Sequence, residues 1–137
     1  MTIRTDFQLH DRLATDTVFA ADWPLSRVLL MNDARFPWLV LVPKRVGAGE
    51  IFDLDPADRA ALHEEICRAG AGLKSLTGCA KINIGILGNI VPQFHVHVVA
   101  RNPGDEAWPG PVWGSGHAVP YVPGTLAALL LRVVNDF

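Results

Sequence analysis

His95 and His97 stand two residues apart in the segment Gln93-Phe94-His95-Val96-His97-Val98-Val99-Ala100-Arg101. An extended chain alternates its side chains between two faces, so Gln93, His95, His97, Val99 and Arg101 share one face and Phe94, Val96, Val98 and Ala100 the other. The apolar set is expected against a core, with the two histidines projecting together from the opposite face. The rise per residue places them about 7 Å apart, a gap that can hold one tetrahedral phosphate. Imidazole suits chemistry at phosphorus: its neutral nitrogen is nucleophilic near neutral pH, and its protonated form can donate to a leaving oxygen. Two adjacent histidines can divide those tasks. For His95 to attack through one nitrogen, the other must give its proton to a fixed acceptor.

Spacing alone leaves two other readings open. An i, i+2 pair on a strand also occurs as polar surface, and it can ligate zinc or iron. A metal site needs three or four ligands, however, and His117, Asp105 and Glu106 have no recognisable spacing to the pair.

The elements that must position this pair follow from periodicity and turn signals. Thr5 and Gln8 have capping-box spacing, and with Leu9 and Leu13 they predict a short helix over about residues 6 to 14. The apolar runs 25–31 and 38–42, separated by Asn32-Asp33-Ala34-Arg35-Phe36-Pro37, predict strand, turn and strand, with Pro43 closing the second. Asp55 as cap and Pro56 as first residue open a helix whose apolar positions are Leu62, Ile66, Ala69 and Leu73. Its other face carries Asp58, Arg59, Glu65, Arg68 and Lys74 and reads as solvated surface, and Gly78 stops it. Strands are expected over 80–87 and 94–101, paired antiparallel across Gly88-Asn89-Ile90-Val91-Pro92. The stretch 102–124 holds five prolines and five glycines together with Trp108, Trp113, His117 and Tyr121, a long loop of the kind that is often functional. Leu126, Leu129, Leu130, Val133 and Val134 form an apolar stripe on a C-terminal helix over 125–136. The element order implies an α+β fold, an antiparallel sheet of about five strands with helices packed on it, in one domain spanning 1–137.

Composition bounds the partners. Of 137 residues, half are hydrophobic and 19% charged, with a net charge of -2, so no broad basic field exists for long nucleic acid, while a small anionic ligand in a local pocket is compatible. The apolar excess allows an interface with a second copy. Cys67 and Cys79 make no disulfide framework and lack zinc-ligand spacing, which points to a reducing cytoplasm. No apolar run approaches the roughly 20 residues of a membrane span, and residues 1–6 lack an apolar signal region, so neither export nor anchoring is expected.

From about residue 18 to 106 the chain resembles the histidine triad (HIT) family. Residues 91–101 are similar to the family's His-x-His-x-His signature followed by apolar residues, with glutamine in the first position. Lys81-Ile82-Asn83-Ile84-Gly85 and Gly88-Asn89-Ile90 resemble its phosphate-cradling strand and loop, and residues 29–32 and 38–43 its paired ribose-holding strands. The resemblance implies a HIT-like fold, commonly dimeric, that acts without a metal or other cofactor in the covalent step on the α phosphorus of a nucleotide. Suitable substrates are dinucleoside polyphosphates or nucleoside phosphoramidates. It implies His95 as nucleophile, His97 as the group bonding the phosphate and its bridging oxygen, and Gln93 as the stand-in for the first histidine. Asn83 and Asn89 then lie near the phosphate and Asn32 near the sugar. Trp38 occupies the place where many members carry a histidine, and the region around Trp108 and Trp113 resembles a bacterial subgroup; those tryptophans can stack on a base or cap the core. The alternative function is a module that binds a nucleotide without processing it.

Overall fold

The computed structural model describes residues 6–137. Five antiparallel strands, β1 (Thr17–Asp22), β2 (Ser26–Met31), β3 (Trp38–Pro43), β4 (Lys81–Gly85) and β5 (Val96–Arg101), form one sheet in the order β1-β2-β3-β5-β4. The helices are α1 (Asp11–Asp16), α2 (Pro56–Thr77) and α3 (Pro123–Asp136). This is the expected α+β architecture. The 22-residue α2 crosses over between β3 and β5's neighbour β4, so β5 returns between them and has a hydrogen-bonded strand on each side.

Helix α2 forms where its signals lie: the Asp55 carboxylate accepts from Asp58 N–H, Pro56 sits in the first turn, and Gly78 closes the end in the left-handed region at φ 65°. Leu62, Ala69 and Leu73 pack with Val96, Val98 and Ala100 of β5 and with Leu39 and Leu41 of β3 into the main core. Each fully buried aliphatic side chain contributes roughly 1.5–3 kcal/mol relative to exposure, so this apolar layer supplies much of the drive to fold. Helix α3 covers the same face with Val133, while Leu126, Leu129 and Leu130 are half-buried. Val134, expected in that stripe, points to solvent instead.

Glu65 is buried and does not belong to the solvated face of α2. Its two carboxylate oxygens accept from the backbone N–H groups of Leu25 and Ser26, both at 2.9 Å, at the start of β2. Arg68 likewise lies over the Trp23 ring at 4.0 Å. These contacts join residues about 40 positions apart, and helical periodicity carries no trace of them.

Other boundaries moved. The first helix is shorter and later than expected, with His10 as cap, its ring Nδ1 accepting from Arg12 N–H; Thr5 lies outside the described residues. Strand β1, a Thr-Val-Phe-Ala-Ala-Asp segment with little alternation, was not anticipated individually, and β4 ends at Gly85 and β5 begins at Val96. Every residue of β5 is buried, on both faces. The histidine face therefore has its own smaller core, comprising Leu29, Phe36, Trp38, Val40, Val99 and Val112 among others.

Candidate active site

His95 directly precedes β5 and His97 is its second residue; both are 6% exposed. The rings are 4.9 Å apart between centroids and edge-on, closer than the backbone rise suggested. A phosphate cannot sit between rings so close. The open space lies beyond them, in a cleft of about 690 Å³ that both histidines line.

The fixed acceptor that His95 requires is the backbone carbonyl of Gln93, 2.7 Å from Nδ1. A carbonyl oxygen only accepts, so Nδ1 holds a proton, and in the neutral ring Nε2 keeps its lone pair. His97 is set the opposite way: Trp38 Nε1–H donates to its Nδ1 at 3.0 Å, leaving the ring proton on Nε2. Burial first, and the neighbouring His95 second, lower the pKa of His97 to about 4. At neutral pH His97 is thus an uncharged hydrogen-bond donor. A depressed histidine pKa costs stability on acidification: the full contribution is present above about pH 6.5 and falls as the pH drops toward 4.

The register places Trp38 diagonally from His97, since Val40 pairs with His97 and Trp38 with Val99. Across β4, Gly85 pairs with His97. A side chain at Gly85 would come within 2.6 Å of Trp113, so the glycine is what lets the indole lie against the His97 ring, 5.5 Å away. Trp113 packs edge-on to Trp38 as well and lines the cleft. Its buried Nε1–H has no partner among the described residues. Trp108 is partly exposed beside the Arg101 guanidinium and does not line the cleft.

Loop 102–122 is held by two charged clasps. Arg101, 1% exposed, donates to both oxygens of Asp105 at 2.7 and 3.0 Å, to Asn83 Oδ1 at 2.8 Å and to the Gly110 carbonyl at 2.8 Å. Those bonds hold the Asp105 carboxyl down at about pKa 2 against the opposing effect of its partial burial. At the other clasp, Asp33 binds the Arg35 guanidinium at 2.9 Å and accepts from the amides of Arg35 and Val119, while Arg35 donates to the Ser115 carbonyl at 2.7 Å. The bonds from Arg35 and these amides outweigh burial and lower the Asp33 pKa, although burial is the largest single influence.

Of the residues singled out from the sequence, His95, His97, Asn32 and Asn89 line the cleft together. Asn32 Oδ1 accepts from Tyr121 N–H at 2.9 Å, so its amide nitrogen is the group it can offer a ligand. Asn83 and Gln93 are placed elsewhere. Asn83 is tied to Arg101, and the Gln93 amide accepts from His10 N–H and donates to the Gln8 carbonyl, each at 2.8 Å, anchoring the segment before α1. Arg12, Asp16, Asp33 and Arg35 also line the cleft and were not anticipated, because aspartates and arginines around short turns have an ordinary structural reading. His117, Asp105 and Glu106 do not join the histidines, and no group of three or more His, Cys, Asp or Glu side chains arranged to hold a metal occurs among the described residues.

Residues 12–104 match the HIT domain. The chain belongs to the histidine triad family. Its fold is shared with a histidine triad protein from Bradyrhizobium japonicum at 45% identity and a TM-score of 0.94, over 96% of this chain and 98% of that one. Histidine triad proteins from Sinorhizobium meliloti (47%, TM-score 0.94, 96% and 97% covered) and Marinobacter aquaeolei (43%, TM-score 0.91, 93% of each chain) are also similar. No curated protein matches the chain. Among the described residues no helix is long and apolar enough to cross a membrane.

Proposed function

We propose that this HIT protein is a nucleotide hydrolase or nucleotidyl transferase that works through a nucleotidyl-histidine at His95. The observation that carries the reading is the 2.7 Å bond from His95 Nδ1 to the Gln93 carbonyl, which presents an unprotonated Nε2 in the cleft. The Nε2 lone pair forms a bond to the α phosphorus as the bond to the leaving group breaks and its electron pair departs with that group. Water or another acceptor then attacks the same phosphorus and loses a proton to solvent, as the P–N bond breaks and its electron pair returns to His95 Nε2. His97 Nε2–H, Asn89 and the Asn32 amide are donors for phosphate and sugar oxygens, and a preorganised set of donors is the largest contribution in such chemistry. Dinucleoside polyphosphates and nucleoside phosphoramidates are the candidate substrate classes, and the covalent step requires no metal. The exposed Leu131 and Val134 on α3 support pairing of two copies.

The substituted first position motivates a second reading, a module that binds nucleotide without turnover. The Gln93 side chain is committed to Gln8 and His10, away from the cleft, so its replacement of histidine leaves the nucleophile's own contact, a backbone carbonyl, intact. His95→Ala is expected to abolish turnover of an adenosine-linked substrate while AMP binding, read by calorimetry, weakens only modestly. Full activity in that variant refutes the assignment. Tight AMP binding by the unsubstituted protein with no product over hours favours the binding module.

A further inference from the structure

An indole nitrogen can donate a hydrogen bond and cannot accept one. With Trp38 Nε1–H 3.0 Å from His97 Nδ1 and both side chains buried, Nδ1 must present its lone pair. Protonating Nδ1 would set two N–H groups against each other with no acceptor. The Trp113 ring packs on the other side of His97 over Gly85, which holds the imidazole in this orientation. Among the described residues no neighbour of His97 supplies a counter-charge. From β3, β4 and the loop the facing residues are Trp38, Gly85 and Trp113; from β5 it is His95. The charged residues lining the cleft, Arg12 with Asp16 and Arg35 with Asp33, are paired with each other.

We propose that Trp38 is a positioning residue that makes His97 a fixed hydrogen-bond donor rather than a proton donor, and so restricts the reaction to leaving groups that depart as stable anions, above all a phosphate or polyphosphate. This rests on the hydrolase reading above. When the α phosphorus bonds to His95 Nε2, the bridging P–O bond breaks and its electron pair stays on the oxygen of the departing phosphate. His97 Nε2–H bonds to that oxygen without transferring its proton, and water later supplies whatever proton the free phosphate takes up. An amine leaving group is different: the nitrogen of a phosphoramidate must gain a proton as the P–N bond breaks, and a neutral imidazole is too weak an acid to give one. A histidine at position 38, the residue many members carry, can turn an acceptor nitrogen toward His97 Nδ1–H and so permit an imidazolium there.

The test compares diadenosine triphosphate, which releases ADP, with adenosine 5′-phosphoramidate, which releases ammonia, using the full-length protein and its Trp38→His and Trp38→Phe variants. The unsubstituted protein is expected to favour the anhydride in kcat/KM by about a hundredfold, the lower end of what a positioned acid contributes to the amide reaction. Trp38→His narrows that preference to about tenfold or less. Trp38→Phe, which keeps an aromatic ring and loses the donor, lowers kcat on the anhydride roughly threefold to tenfold with KM little changed. Nitrogen-15 NMR of the unsubstituted protein reads the tautomer without any variant, with the proton expected on His97 Nε2. Equal kcat/KM on the two probes, an unchanged preference in Trp38→His, or a proton on Nδ1 overturns the proposal. Failure of the unsubstituted protein to turn over either probe overturns the hydrolase reading and the leaving-group restriction with it, while the NMR result still decides the part played by Trp38.

Discussion

The two faces of β5 are both buried, yet they are built from different materials. Val96, Val98 and Ala100 meet the apolar sides of α2 and α3, where size and hydrophobicity are nearly the whole specification. His95, His97 and Arg101 project to the other side, where each polar group is matched to a particular partner: the Gln93 carbonyl, the Trp38 indole, and the set formed by Asp105, Asn83 and Gly110. The apolar face makes the sheet, and the polar face uses that rigidity to fix two tautomers and a loop. Buried polar groups are costly without partners, so the second face tolerates few changes even though it supplies less of the driving force.

The largest break in this contrast is expected from Arg101→Leu. It leaves the Asp105 carboxylate with only backbone amides as partners and removes the bonds that bind residues 105–110 to the sheet, and breaking a buried ion pair costs about 3–5 kcal/mol. Urea unfolding checks the loss. It also checks the pH dependence: because folding depresses the Asp105 pKa from 3.8 to about 2, the stabilisation is full above about pH 4 and disappears as pH falls toward 2. That part of the acid slope is expected to shrink in the variant, where only the backbone bonds to Asp105 still favour its charged form.

A smaller effect is expected from Glu65→Leu on the apolar side, where the amides of Leu25 and Ser26 lose their acceptor. The cost is roughly 2–4 kcal/mol, and at a temperature where the variant stays folded its KM for a nucleotide substrate remains unchanged. A large rise in KM would mean the two faces are more strongly coupled than their separate packing implies.

What the sequence made legible divides along the same line. Helix α2 with its Asp55 cap, Pro56 and Gly78 was readable because caps and periodicity are local, and alternation alone put His95 and His97 on one side of the chain. Both the Trp38 bond to His97 and the role of Glu65 depend on which residues the sheet and helix bring opposite each other across 59 and about 40 positions, information that no local pattern contains. The resemblance put Asn83 near the phosphate and made Gln93 the stand-in for the first histidine; that their side chains bond Arg101 and the segment before α1 is a long-range contact no motif contains. Strand β1 escaped because its burial does not follow a strict alternation and a bulge interrupts its register between Phe19 and Ala21. The acceptor for His95 was anticipated as a type, a fixed hydrogen-bond acceptor, and only the fold could identify it as the Gln93 carbonyl.

The most direct measurement is to mix the protein briefly with diadenosine triphosphate, quench it under conditions that preserve phosphorus–nitrogen bonds, and map the adduct by mass spectrometry. An adenylyl group on the peptide carrying His95, absent from His95→Ala and still present in a variant of His97, is the predicted result. Turnover with the adenylyl group on His97 or on no histidine would contradict the account.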